Sequence, residues 1–306
     1  MQMSLQKKAT VVSTSVATFL LIIKFAIGIA SGSVAVLASA VDSLLDMCIS
    51  VFNFYAIKKS EEKPDDFYQY GKGKVQAIAG VIEGTVITLS GAFIIYESIS
   101  KYIHNKHTSL LLPSIVAMLI SIVATYFLVR YLLVIAKKTD NLVIKADALH
   151  YKTDLWSNGA VLVALVLVYM TGFDIIDAIF GFAIGVYIIY SAYEIIVEGI
   201  ETLLDKALDK EILKKIDTII TSHKEVTSYH WLKTRSDGVF NFVEFHLVLQ
   251  PSMILLEAHR IAEEIEDEIM KLDDNRKWVI TPHFDPYDDE DMNNALLHGK
   301  TLMDVK

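Results

Sequence analysis

One cysteine, Cys48, is all the thiol chemistry in this 306-residue chain. A single thiol excludes an internal disulfide and any thiolate metal cluster built within one chain. Cys48 follows Asp46 by two positions, so on a helix it turns away from that residue and is expected to be a small packing residue. Positive charge is also short: 28 Lys and Arg stand against 37 Asp and Glu, a net charge of −9. Part of that excess lies in the acidic PYDDEDMNN segment, expected to be a solvated, disordered tail, and nothing in the balance suggests a nucleic-acid partner. There is no internal repeat, no low-complexity run and no His-rich loop. No HExxH helix supplies the general base and open metal position that an intramembrane metallohydrolase needs.

Apolar residues, in contrast, are abundant. They make up 53% of the chain, with a mean hydropathy of +0.41, well above what the core of a soluble domain requires. Runs long enough to cross a bilayer, roughly 20 residues each, fall at about 10–30, 34–57, 76–99, 110–135, 149–171 and 175–200. The first follows Lys7 and Lys8 without a small-residue cleavage pattern, so it reads as a retained helix. Lys7, Lys8, Lys58, Lys59, Lys63, Lys72, Lys74, Lys137 and Lys138 fall on one side of the membrane, against Lys101 and Lys106 on the other. By the positive-inside rule both termini are cytoplasmic.

After residue 204 the composition becomes that of a soluble domain. Periodicity predicts helices over 209–222 and 254–272 and strands over 226–235, 239–249 and 277–284, a compact αββαβ order. The second helix carries an apolar stripe through Ala258, Ile261, Ala262, Ile265, Ile269 and Leu272, which leaves His259 outside it. The second strand puts Val243, Phe245, Leu247 and Leu249 on one face and Glu244, His246 and Gln250 on the other. The expected organisation is therefore 1–204 in the membrane, 205–286 as the soluble domain and 287–306 as the tail.

Ionisable groups inside two of the apolar runs carry the chemistry. In VDSLLDM, Asp42 and Asp46 are four apart; in ADALHYKTD, His150 and Asp154 repeat that spacing. Residues four apart share a helix face. If the two faces meet, they offer three carboxylates and one imidazole, a tetrahedral oxygen and nitrogen set suited to zinc and acceptable to other first-row divalent ions. An isolated charge at that depth costs at least ~2.5 kcal/mol, so such groups face partners, cavities or ion paths. The competing reading pairs an aspartate with Lys24 or Lys145. Asp46 falls nearer the outer end of its run than Asp154 does of its own, so tilt or a kink is expected to bring them level. Asp147, one turn before His150, reads either as a further ligand or proton acceptor or as an interfacial residue. Because a metal must displace the protons these ligands hold, one site exposed alternately to each side would act as a metal/proton antiporter.

The soluble domain holds a second set. His230, His246, His259 and His283, with Asp285 in HFDP and His223 just ahead of them, offer ligands for one or two zinc ions, against a reading as scattered surface histidines.

With VDSLLDM, YGKGKVQAIAG, ADALHYKTDLWSNGA, TLLDKAL, LKTRSDG, FHLVL, EAHRIA and HFDP quoted together, the sequence resembles the cation diffusion facilitator family, in particular its bacterial zinc and iron exporters. The resemblance implies a homodimer in the bacterial cytoplasmic membrane. Each subunit would have six transmembrane helices and a ferredoxin-like cytoplasmic domain, and would exchange divalent metal for protons by alternating access. It assigns Asp42, Asp46, His150 and Asp154 to the transport site, and His230, His246, His259, His283 and Asp285 to a zinc cluster at the dimer interface. Lys74 and Asp205 become a charge pair joining the membrane helices to the soluble domain, although Lys74 also reads as one more positive-inside residue. The chain departs from its relatives in YQYGKGK, where they carry two histidines. Tyr68 and Lys72 stand here, with Asp65 nearby, so no loop metal site is expected. Zinc is the first expected cargo, before iron(II), cadmium, cobalt and manganese, the imidazole making the site softer than an all-carboxylate one. The alternative is a metal-sensing membrane scaffold that binds without transporting, a role that needs no site at that depth.

Overall fold

The computed structural model describes residues 3–31, 34–104, 112–171, 175–273 and 276–291. Most of the acidic tail, from 292 on, lies outside the described residues. The chain forms two compact units, Met1–Glu201 and Thr202–Lys306.

The first unit is six long helices: α1 (Leu5–Ser31), α2 (Val34–Ser60), α3 (Val75–His104), α4 (Leu112–Thr139), α5 (Leu142–Thr171) and α6 (Ile175–Leu203). Among the described residues, five contain windows apolar and long enough to span a membrane. The other is α5, whose first half carries Lys145, Asp147, Lys152 and Asp154. This is a six-helix membrane protein whose ionisable constellation is shared by α2 and α5. The core of α1, α2, α3, α4 and α5 is rich in alanine, with Ala9, Ala56, Ala79, Ala136 and Ala148 buried around Leu132, Val143 and Tyr151. Small side chains let helix backbones approach where no hydrophobic effect drives them together.

The start of α5 differs from expectation by seven residues. The run from Lys137 to Asp147, left between two apolar runs, is nearly all helix, broken only by a tight turn at Asp140 and Asn141. Asp140 takes a positive φ of 47°, and its N–H donates to the Ala136 carbonyl at 2.8 Å, which ends α4. Asn141 then caps α5, its Oδ1 accepting from the Ile144 N–H at 3.2 Å. Its Nδ2 donates to Gln76 Oε1 at 2.9 Å, and Gln76 Nε2 donates to Ser60 Oγ at 2.7 Å, which ties this turn to the ends of α2 and α3.

The second unit is ferredoxin-like: α7 (Lys210–Ser222), β1 (Val226–Ser236), β2 (Phe240–Leu249), α8 (Leu255–Met270) and β3 (Lys277–Asp285). The sheet has the order β1-β2-β3, antiparallel across the first pair and parallel across the second. Ile216 and Ile220 of α7 and Ala258, Ile261, Ala262, Ile265 and Ile269 of α8 pack on Val243, Phe245, Leu247 and Leu249 of β2. The expected apolar faces are the buried ones.

Candidate metal centres

Asp46 of α2 and His150 and Asp154 of α5 bring one ligand atom each within 4.8 Å of one another. His150 Nε2 is 3.0 Å from Asp46 Oδ1 and 3.6 Å from Asp154 Oδ2. By residue count the two groups lie at similar distances from neighbouring helix ends. Asp154 is twelve residues from the start of α5 and Asp46 fourteen from the end of α2, about 18 and 21 Å along their axes. A second bond, Ser50 Oγ to Tyr151 OH at 2.9 Å, holds the same two helices one turn further along.

Asp42 stands outside this triad. Its side chain is exposed, one turn beyond Asp46 on α2, within electrostatic reach of Asp46 and Lys24. Lys24 of α1 is buried and donates to Ser43 Oγ at 2.9 Å and the Ser39 carbonyl at 3.4 Å, with the charges of Asp46, Asp154 and Asp42 around it. It therefore supplies a cation beside the triad, with its hydrogen bonds going to α2. Lys145 is engaged elsewhere, by Asp140 and Glu198. Cys48, expected to pack inside, is exposed, because the outward-facing side of α2 falls at that position.

The chemistry of the triad follows from Nε2. A proton there serves both carboxylates at once, and a metal ion bound to the same nitrogen requires that proton to leave. Side-chain exposure rises from 11% at His150 to 20% at Asp46 and 37% at Asp154, while Asp147, one turn the other way on α5, is fully buried. Along α5, exposure therefore rises from Asp147 through His150 to Asp154.

In the soluble unit, strand register sets the site. His230 pairs with His246 across β1 and β2, and His246 with His283 across β2 and β3, so the three imidazoles form one row on the sheet. Ring centroids are 5.0 and 4.5 Å apart along it. Asp285, nearly buried, reaches all three: Oδ2 lies 2.7 Å from His246 Nδ1 and 3.4 Å from His230 Nε2, and Oδ1 lies 3.2 Å from His283 Nε2. Asp289 completes a compact group with His230, His246 and Asp285, its Oδ1 being 2.9 Å from His230 Nε2. Two imidazoles and two carboxylates within 4.8 Å fit a zinc ion's donor preferences.

Asp289 belongs to the segment read as a free tail. Residues 287–291 instead run over the sheet, where Asp288 Oδ2 accepts from Ser228 Oγ at 3.0 Å. Only the run of acids marks it in the sequence. His259 is not brought into the group. It is exposed on α8 and lies 3.4 Å from Glu263, while His223 lies 3.7 Å from Glu268.

In the loop before α3, Lys72 Nζ lies 2.8 Å from Asp65 and 3.1 Å from Glu62. Its hydrogen bond holds the Asp65 carboxyl below the ordinary range. Asp205, at a positive φ of 58°, lies 3.5 Å from Arg235 Nη1.

Residues 10–204 match the cation efflux transmembrane domain, and residues 208–287 match the cytoplasmic domain of cation efflux proteins. The chain belongs to the cation efflux family, the cation diffusion facilitators. A cation-efflux pump FieF from Citrobacter koseri is 35% identical over 267 residues, 87% of this chain and 89% of the relative. Those from Klebsiella pneumoniae and Escherichia fergusonii are 34% and 33% identical over the same shares. As a family member this chain is a transporter that exports metal cations rather than an enzyme.

Proposed function

We propose that this cation-efflux protein is a proton-coupled antiporter that moves zinc, or another first-row divalent ion such as iron(II), out of a bacterial cytoplasm by alternating access. Cadmium, cobalt and manganese are weaker candidates. The observation that carries the reading is His150 Nε2 lying between Asp46 and Asp154 at membrane depth. Proton and metal compete for that nitrogen, so loading one releases the other. Asp42 closes on the ion as the fourth ligand, which a tetrahedral zinc site requires. With both termini in the cytoplasm, the exposure gradient corresponds to the outward-open state.

The soluble domain binds zinc through His230, His246, His283, Asp285 and Asp289, and pairs with a second subunit. His259, exposed and outside its own group, supplies a ligand to the partner's cluster. Lys74 and Asp205 link the membrane helices to this domain. A sensor that binds without transporting is the alternative, and the depth of the triad speaks against it.

The test is uptake into sealed everted vesicles or proteoliposomes under an imposed proton gradient, with zinc, iron(II), cadmium and manganese in parallel. Gradient-dependent uptake that disappears in Asp154→Ala supports the antiporter. Metal binding without uptake of any ion turns the reading to the sensor.

A further inference from the structure

Beside the triad, one turn nearer the end of the bundle where α5 begins, lies a second group of acids. Glu83 of α3 is 2% exposed and Asp147 of α5 is fully buried. Asn53 of α2, also fully buried, joins them: its Nδ2 donates to Glu83 Oε2 at 3.0 Å and to Asp147 Oδ1 at 3.3 Å. Three helices thus converge on one amide group.

That bond uses up the donors. Glu83 Oε1, Asp147 Oδ2 and Asn53 Oδ1 are buried without a hydrogen-bond partner. Ser13 of α1 also reaches Asp147, and its single hydroxyl hydrogen serves either that carboxylate or the Thr10 carbonyl at 3.1 Å. The charged neighbours of the two acids are each other, His150 and Asp46. Every unpartnered atom of the group is an oxygen acceptor. Buried acceptors left without donors are costly, and more so at membrane depth. A proton on one carboxylate satisfies one acceptor, whereas one cation between the two acids can serve both, with the Asn53 amide turned over to present its oxygen in place of its Nδ2.

We propose that Glu83, Asp147 and Asn53 form a second, oxygen-only divalent-cation site where the transported ion rests between the triad and the cytoplasmic end of the bundle. Three rises of ~1.5 Å separate Asp147 from His150 along α5, a step of about 4.5 Å. The donor set is harder than the triad, which has an imidazole, so it favours ions such as manganese(II) more than the triad does and releases zinc toward the softer ligands. The ion's path rests on the transport reading above; the binding does not.

The experiment is manganese(II) binding to the purified full-length protein in detergent, followed by the EPR signal of free Mn2+. The background is Asp154→Ala with Asp285→Asn, which weakens the other two centres. Adding Glu83→Gln or Asp147→Asn should weaken the remaining Mn2+ equivalent per protomer at least tenfold. Asn53→Asp, which adds a third carboxylate, should tighten it. Unchanged binding in the two carboxamide variants overturns the proposal, as does an Asn53→Asp protein that fails to bind Mn2+ more tightly. Because binding is read without transport, a protein that binds here yet moves no ion contradicts the antiporter and leaves this site standing.

Discussion

His150 Nε2 and Asp46 Oδ1 meet at 3.0 Å although their residues are 104 positions apart. The contact joins the two polar helix faces inside the bundle, and Asp154 shares the same nitrogen at 3.6 Å.

That geometry grades the ligands. Alanine at Asp46, His150 or Asp154 is expected to lower zinc affinity at the transport site by about a hundredfold and to abolish gradient-driven uptake. Asp42→Ala, removing a ligand that closes only once the ion is bound, should cost less, about tenfold. Zinc titration and vesicle uptake on the four variants check the order, and an Asp42 effect as large as the others would put that residue in the resting site.

Asp289→Ala is expected to weaken zinc binding by the cytoplasmic cluster about tenfold or more, because it removes a carboxylate 2.9 Å from His230. Zinc titration of the full-length protein in an Asp154→Ala background reads this directly. His259→Ala should leave a lone subunit's cluster intact while lowering metal-dependent dimerisation, visible in the mass of the detergent-solubilised protein.

Helices α3 and α6 approach through glycine. A Cβ placed on Gly185 would lie 2.9 Å from the Gly91 carbonyl oxygen, a backbone atom that cannot step aside alone. Gly185→Val should destabilise the membrane unit by about 1–3 kcal/mol through overpacking. Thermal unfolding in detergent would show the lowered midpoint, and an unchanged midpoint would mean that the two helices separate at no cost.

Burial, and then the hydrogen bond donated to Asp217, push the Tyr229 phenol up to about 12 from 10.0. The folded protein keeps a proton that the unfolded chain releases from about pH 10 upward. The resulting stability is fully present below pH 10 and is lost as the pH rises through about 12. Unfolding midpoints across that window should fall more steeply for wild type than for Tyr229→Phe; parallel curves would remove Tyr229 as the cause.

Local pattern in the chain determined a good deal. Apolar runs mark six helices, and alternation marks β2 with Val243, Phe245, Leu247 and Leu249 inward, because burial follows a period that each element carries within itself. Spacing of four placed Asp46 on a face with Asp42, and His150 with Asp154. What depended on distant segments was decided by packing alone. The turn that starts α5 at Leu142 is held by Gln76 and Ser60, so helix begins seven residues ahead of the apolar run. The histidine row needed the register of three strands, and His230 needed Asp289 from beyond the last of them. Glu83, Asp147 and Asn53 lie on three helices, and nothing local in any of them announces the others. Periodicity records which way a side chain points, whereas what it meets there is set by the approach of elements that only the folded chain brings together.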